Sequence, residues 1–243
     1  MIKFLRGAAV VLLITLFGIG ALFIRYCIFP FTKTQMKKYE MLQKSWKFYI
    51  RLLKSLKIIN LKIEDEEKIK SIKNSIIVST HPSFADIVIL MSIIPHSTCF
   101  VAEKLARNPF FKGIVKLLFI LDVQSIDEWL NNALEKLDAG LNVIIFPMGG
   151  RHKKEETPKI RRGAALIAQK SHKNIVMLNL ETDFDFLQNN QPIYKAGEET
   201  VQYLLEYLGQ IDTNSFLEKY PDEVTFKTEV TKQISTNLYK KQS

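Results

Sequence analysis

The chain opens with an apolar block, passes through an amphipathic one, and then alternates short apolar runs with longer mixed segments. From Gly7 to Ile24, GAAVVLLITLFGIGALFI, no charged residue intervenes. At about 1.5 Å per helical residue this block reaches roughly 27 Å, close to a hydrocarbon core of about 30 Å. Lys3 and Arg6 precede it and Arg25 follows. Residues 1–30 read as a membrane anchor, because the run is longer than a usual signal-peptide core. A cleaved signal, for which Gly18, Gly20 and Ala21 are small enough, and a buried core helix are the competing readings. After Pro30, the residues Met36, Tyr39, Leu42, Trp46, Tyr49, Leu53 and Leu56 recur at spacings of three and four. That is one apolar stripe on a helix. Residues 31–57 are expected to form a basic amphipathic helix at a membrane interface. The plainer alternative is a helix packed on the protein core with a solvated charged face.

From residue 58 to 243 the pattern predicts one domain. Short apolar runs at Ile58–Ile63, Ser75–Thr80, Thr98–Ala102, Phe119–Val123, Asn142–Phe146 and Ile175–Leu180 read as strands. Helical stretches lie between them: up to Ile94, Asn108–Leu118, Ile126–Asp138 and Arg162–Ser171. Pro221 opens a last helix that runs to about Tyr239. Strands alternating with helices imply an α/β fold, with a mostly parallel sheet covered by helices on both faces. In such sheets, sites gather beyond the carboxyl ends of the strands.

Composition narrows the functional classes. Of 243 residues, 47% are hydrophobic, which excludes a disordered chain. Cys27 and Cys99 stand alone, with no Cys-x-x-Cys, so structural zinc and disulfide frameworks are not expected. The four histidines form no ligand pattern, and neither metal nor cofactor is expected. The net charge of +9 is concentrated. Residues 33–57 hold eight lysines and arginines against Glu40 alone. A local basic helix beside an anchor fits an anionic leaflet, at about 1 kcal/mol per engaged cation. It does not fit nucleic acid, which requires a basic face on the folded body. The cations flanking the apolar block mildly favour a cytoplasmic body, reached by a span or by a shallow hairpin turning at Gly18–Gly20 or Pro30.

Two strand ends carry unusual residues. The first reads Ser79-Thr80-His81-Pro82-Ser83-Phe84-Ala85-Asp86. On one continuous helix His81 and Asp86 would point apart, but they meet if His81 lies in the turn before the helix and Asp86 in its first turn. The carboxylate then fixes the imidazole tautomer and leaves the other nitrogen as a general base. Ser83-x-x-Asp86 reads equally as a capping box. The second site is Phe146-Pro147-Met148-Gly149-Gly150-Arg151. Its glycines let the backbone approach a ligand and aim N–H groups at it, and Arg151 can grip an anion. Further cations, Lys159, Arg161 and Arg162 among them, follow. A tight turn with a solvated charged loop is the bland alternative.

Taken in order, the two sites resemble the glycerolipid acyltransferase family, which includes the lysophospholipid acyltransferases acting on 1-acylglycerol-3-phosphate. His81 and Asp86 match its His-x-x-x-x-Asp motif; Phe146, Pro147, Gly149 and Arg151 match its Phe-Pro-Glu-Gly-Thr-Arg motif. Phe100 to Lys104 with Pro109, Phe110 and Gly113, and Arg162 to Ala165, resemble its intervening and following blocks, so the likeness covers roughly residues 75–182. Met148 replaces the motif's Glu, Gly150 its Thr, and Asp122 stands where an Arg is expected, which marks a divergent member. The resemblance implies a glycerol-phosphate-acyltransferase-like fold and transfer of a fatty acyl group to a hydroxyl of a lysophospholipid-like or other lipid acceptor. The donor would be acyl-CoA or an acyl-carrier protein, and the body would sit on the cytoplasmic side of a membrane. His81 and Asp86 would be catalytic. Gly149, Gly150, Arg151 and Arg162 would bind substrate, with the Gly149 and Gly150 N–H groups facing the oxyanion. The alternatives are a non-catalytic membrane adaptor and a lipid hydrolase or thioesterase.

Overall fold

A computed structural model describes residues 2–81, 83, 85–149, 159–183 and 199–239. Among these, seven strands form one sheet: β1 (Ile59–Ile63), β2 (Ile76–Ser79), β3 (Ser97–Ala102), β4 (Ile120–Asp122), β5 (Asn142–Ile145), β6 (Ile175–Thr182) and β7 (Val201–Ile211). Their spatial order is β1-β7-β6-β2-β5-β3-β4. Only β6 and β7 pair antiparallel, so the sheet is mostly parallel, as expected. β2 and β5 are fully buried, apolar on both sides because helices cover both faces.

On one face Ile77, Ile144, Val176 and Leu178 pack with α2 (Gln35–Ser55) and α4 (Ala85–Ile93), the short α3 (Glu66–Lys70) lying between them in the chain. On the other, Ile76, Val78, Val143, Ile145 and Met177 meet α7 (Ile126–Asp138), α8 (Gly163–Ser171) and α10 (Glu223–Tyr239). α4 is apolar all round because it is sandwiched between the sheet and α2. Its one carboxylate, Asp86, is therefore buried.

α1 (Ile2–Phe23) is packed along the body on one flank. Val10, Leu13 and Ala21 are buried, and the Phe17 ring lies 4.7 Å from Tyr49 and 6.0 Å from Trp46 of α2. A π turn at Ile24–Ile28 and a 3₁₀ turn at Phe29–Phe31, fixed by Pro30, reverse the chain. Thr34 then caps α2, its hydroxyl accepting the Lys37 N–H at 3.3 Å. Tyr39, Leu42, Trp46 and Leu53 of the amphipathic stripe are buried against the body, and Tyr39 Oη donates to Leu118 O at 2.9 Å. These four residues of the stripe are thus used by the core. Leu56, its last member, is exposed.

Three details depart from the sequence expectation. The helix expected from Asn108 begins at Lys112, as α6 (Lys112–Leu118), behind a short α5 (Glu103–Arg107). Asn108 is held extended before Pro109, and its side chain accepts the Phe110 N–H at 2.9 Å. The final helix starts at Glu223 rather than at Pro221, and Asp222 Oδ2 accepts the Thr225 N–H at 2.8 Å there. The longest strand, β7, was not among the expected elements. Gln202, Glu206 and Gln210 interrupt its apolar run, and it enters the sheet between β1 and β6.

Candidate active site

β2 and β5 are parallel neighbours, so the segments after them leave the same end of the sheet side by side. Thr80 closes β2 against β6: its hydroxyl donates to Leu180 O at 2.8 Å and accepts the Leu180 N–H at 2.7 Å. His81 follows in the turn, and Asp86 lies in the first turn of α4. His81 Nδ1 is 2.9 Å from Asp86 Oδ2. The His81 side chain keeps 13% of its surface exposed and Asp86 none.

The capping-box reading holds at the same time. Asp86 Oδ2 also accepts the Ser83 N–H at 2.6 Å, and Oδ1 accepts the Ser83 hydroxyl at 2.9 Å. A buried carboxylate is strongly disfavoured unless its oxygens are paired, and three donors converge on this one. A carboxylate accepts only, so the ring hydrogen is on Nδ1 and Nε2 carries the free lone pair. The ring face stacks on Phe146, with centroids 4.0 Å apart and planes 17° from parallel. Phe146 is the first residue of the second motif. The imidazole–carboxylate couple therefore lies directly against the residue that leads into the glycine turn.

The turn itself is tight. Gly149 has φ +76°, and its N–H donates to Phe146 O at 3.1 Å. That N–H is occupied within the turn, so Gly149 does not supply the oxyanion donor expected of it. The Arg161 N–H donates to Pro147 O at 2.9 Å, and the Arg161 guanidinium lies where a Gly149 side chain would stand. Only glycine leaves that space. Arg162 is exposed at the start of α8. Arg161, not singled out among the loop cations, is the one that covers the turn. Gly150 and Arg151 lie outside the described residues. Met148 is buried in the core cluster that includes Ala164 and Ala165. Asp122 is exposed at the end of the edge strand β4, three strands from β2.

Tyr203 is a site residue that no local sequence pattern singles out. It sits on β7, buried, with its hydroxyl 2.7 Å from Ser83 Oγ. Burial first, and then the Asp86 charge, push its phenol well above the usual tyrosine range. Cys99 is buried in β3, with its thiol pushed up by burial, and Cys27 is an exposed free thiol.

The mostly parallel α/β sheet with a histidine–carboxylate couple at its strand ends defines the structural class. Residues 60–180, about half of the chain, match the family model described as Acyltransferase. Through that segment the chain belongs to the acyltransferase family. A 1-acyl-sn-glycerol-3-phosphate acyltransferase of Helicobacter pylori (strain J99 / ATCC 700824) is 32% identical over 136 residues, covering 52% of this chain and 56% of the relative. The match thus spans little more than half the length of that curated relative. The crystal structure of the 1-acyl-sn-glycerophosphate (LPA) acyltransferase from Thermotoga maritima has the same fold. Its TM-score is 0.68 at 17% identity, covering 96% of this chain and 93% of that one.

Proposed function

We propose that the protein transfers a fatty acyl group from an acyl thioester to a hydroxyl of a lysophospholipid-like acceptor, with His81 as general base. The observation that carries this reading is the His81–Asp86 contact of 2.9 Å on a ring stacked against the glycine-turn phenylalanine. In the reaction the acceptor hydroxyl gives its proton to His81 Nε2 as its oxygen bonds to the thioester carbonyl carbon. Asp86 stabilises the imidazolium that forms. When the tetrahedral intermediate collapses, the carbon–sulfur bond breaks and the thiolate leaves with the proton held on Nε2. The products are an ester and a free thiol. General-base help of this kind contributes about 10²–10⁴ in rate. Arg161 places a guanidinium over the turn, suited to an acceptor phosphate or the developing oxyanion. Acyl-CoA and an acyl-carrier protein both satisfy the donor chemistry. The relatives' names supply the acceptor class, and the buried Met148 at the motif's Glu position leaves acceptor preference to be set by other residues.

The N-terminal segment supports a membrane-associated enzyme. The flank of α1 turned away from the body exposes Leu12, Leu16, Ile19 and Phe23, and the elbow adds Tyr26 and Phe31, which is 84% exposed. An apolar band of this kind marks an interaction surface. Because the opposite flank packs on α2, the geometry favours a shallow hairpin lying in one leaflet over an isolated span. The cations of α2 would then face anionic headgroups on the cytoplasmic side.

The test is to add purified protein to labelled acyl thioester and total membrane lipid, and to determine the mass of the lipid product. Wild type should form an ester and release thiol one for one, and His81→Ala should do neither. Undiminished product from His81→Ala would overturn the mechanism. Thiol release without an acylated lipid would favour the hydrolase reading.

A further inference from the structure

Asp86 is held from two sides, and the second side leads out of the family segment. Ser83 Oγ has one hydrogen and two lone pairs. Its hydrogen goes to Asp86 Oδ1, 2.9 Å away, since a carboxylate only accepts. One lone pair takes the Ala85 N–H at 3.0 Å. The remaining lone pair faces Tyr203 Oη at 2.7 Å, so the phenol is the donor. The directions are thereby fixed: Tyr203 O–H to Ser83 O–H to Asp86 carboxylate, with His81 Nδ1–H on the other oxygen. Ser83 is 1% exposed, Tyr203 2% and Asp86 0%, so no solvent competes for these bonds. Hydrogen bonds in such a chain polarise one another in a low dielectric. Tyr203 arrives from β7, which lies beyond β6 from β2 and outside residues 60–180.

We propose that Tyr203 is a positioning residue for the His81–Asp86 couple, acting through Ser83. It holds the Ser83 hydroxyl turned toward Asp86 Oδ1, which fixes the carboxylate plane and so the direction of the His81 ring. The role rests on the reading of His81 as general base. Through Tyr203, a strand outside the family segment closes the couple from behind. The phenol stays protonated across the working range, because its ionisation is held far above neutral pH by burial and by Asp86.

The experiment is a double-variant cycle on the full chain in detergent, with Tyr203→Phe, Ser83→Ala and both together. Tyr203→Phe should lower kcat about fivefold, the worth of one neutral hydrogen bond, with KM unchanged. In the Ser83→Ala background it should have no further effect. The downfield proton resonance of His81 Nδ1 should move in Tyr203→Phe and in Ser83→Ala, and move no further in the double variant. Losses that multiply in the double variant would overturn the role, as would an unchanged kcat with an unmoved His81 resonance. A Tyr203→Phe protein that fails to fold would also overturn it, making the residue merely structural. If wild type shows no acyl transfer, the functional reading fails, while the His81 resonance still decides whether Tyr203 positions the ring.

Discussion

Replacing Asp86 by Asn removes one charge and keeps the shape of the side chain. The side chain is fully buried and accepts from His81 Nδ1, Ser83 N and Ser83 Oγ. An amide oxygen in the Oδ2 position keeps the first two bonds. The amide nitrogen then falls in the Oδ1 position, where Ser83 Oγ accepts it by turning its own hydrogen to Tyr203 Oη, which reverses that one bond. The fold should therefore survive. What disappears is the carboxylate facing the imidazolium. At roughly 4 Å and an effective dielectric of about 20, opposite charges attract by about 4 kcal/mol. At about 1.4 kcal/mol per tenfold, this corresponds to a loss in kcat of about 10³. The assay follows thiol release from an acyl thioester with a lysophospholipid acceptor in mixed micelles, alongside a thermal melt. KM should change little, because the charge appears only as the acceptor proton is taken. An Asp86→Asn protein retaining more than about a tenth of wild-type kcat would show that the imidazolium is not formed in the rate-limiting step. A loss explained entirely by unfolding would return Asp86 to a capping role.

Four further outcomes follow from the structure. Gly149→Ala places a methyl group against the Arg161 guanidinium at a backbone φ of +76°, and should cost about 1–3 kcal/mol while raising the acceptor KM; unchanged kinetics would remove Arg161 from the site. Met148→Glu should not improve activity on glycerophosphate acceptors, since it puts a carboxylate into a buried position, and should destabilise by about 3 kcal/mol in urea titration. Exchanging Leu16, Ile19 and Phe23 together for Gln should weaken liposome flotation at least tenfold, with each burial worth about 1.5–3 kcal/mol at most; flotation equal to wild type would refute the hairpin reading. Burial pushes the Tyr39 phenol up to about 12, so the unfolded chain ionises there first as pH rises above about 10. The stabilising contribution is complete below pH 10 and is lost towards pH 12, at about 1.4 kcal/mol per unit, and Tyr39→Phe should flatten that alkaline fall in denaturant midpoint.

The elements readable from sequence were those with a single period and a clean end. The run NVIIF became β5 because both its faces are covered, and Ile126–Asp138 became α7 because its stripe and its Ser125 cap agree. The His81–Asp86 contact was legible as a spacing: a turn residue and a first-turn carboxylate are brought together by the helix start itself. β7 was hidden because Glu206, in the middle of its run, is buried and is paired by Asn179 Nδ2 at 3.0 Å only once β6 lies beside it. Tyr203 was hidden for the same reason. Nothing local couples it to Ser83, 120 residues away, and only the antiparallel insertion of β7 brings them within hydrogen-bond distance. The choice of Arg161 over Arg162 depends on the residue at which α8 begins, a boundary sequence patterns place only within a few residues.

The adaptor reading can be weighed by comparing Asp86 with the other acidic side chains that satisfy helix starts. Asp212 accepts the Asn214 N–H at the start of α9 (Thr213–Lys219), and Asp222 accepts the Thr225 N–H at the start of α10, both in exposed positions where water carries most of the charge. At these two starts, capping is done by solvated carboxylates. Asp86 departs from that pattern: it is fully buried, and among the described residues three donors offset its desolvation, one of them a ring that still reaches solvent. A cap alone gains about 1 kcal/mol and has no need of a buried charge, whose removal from water costs several. In the proposed reaction, a positive charge appears on the ring that faces this carboxylate at 2.9 Å. That placement suits the proposed general base, whereas the two solvated caps show that a helix start alone does not call for it.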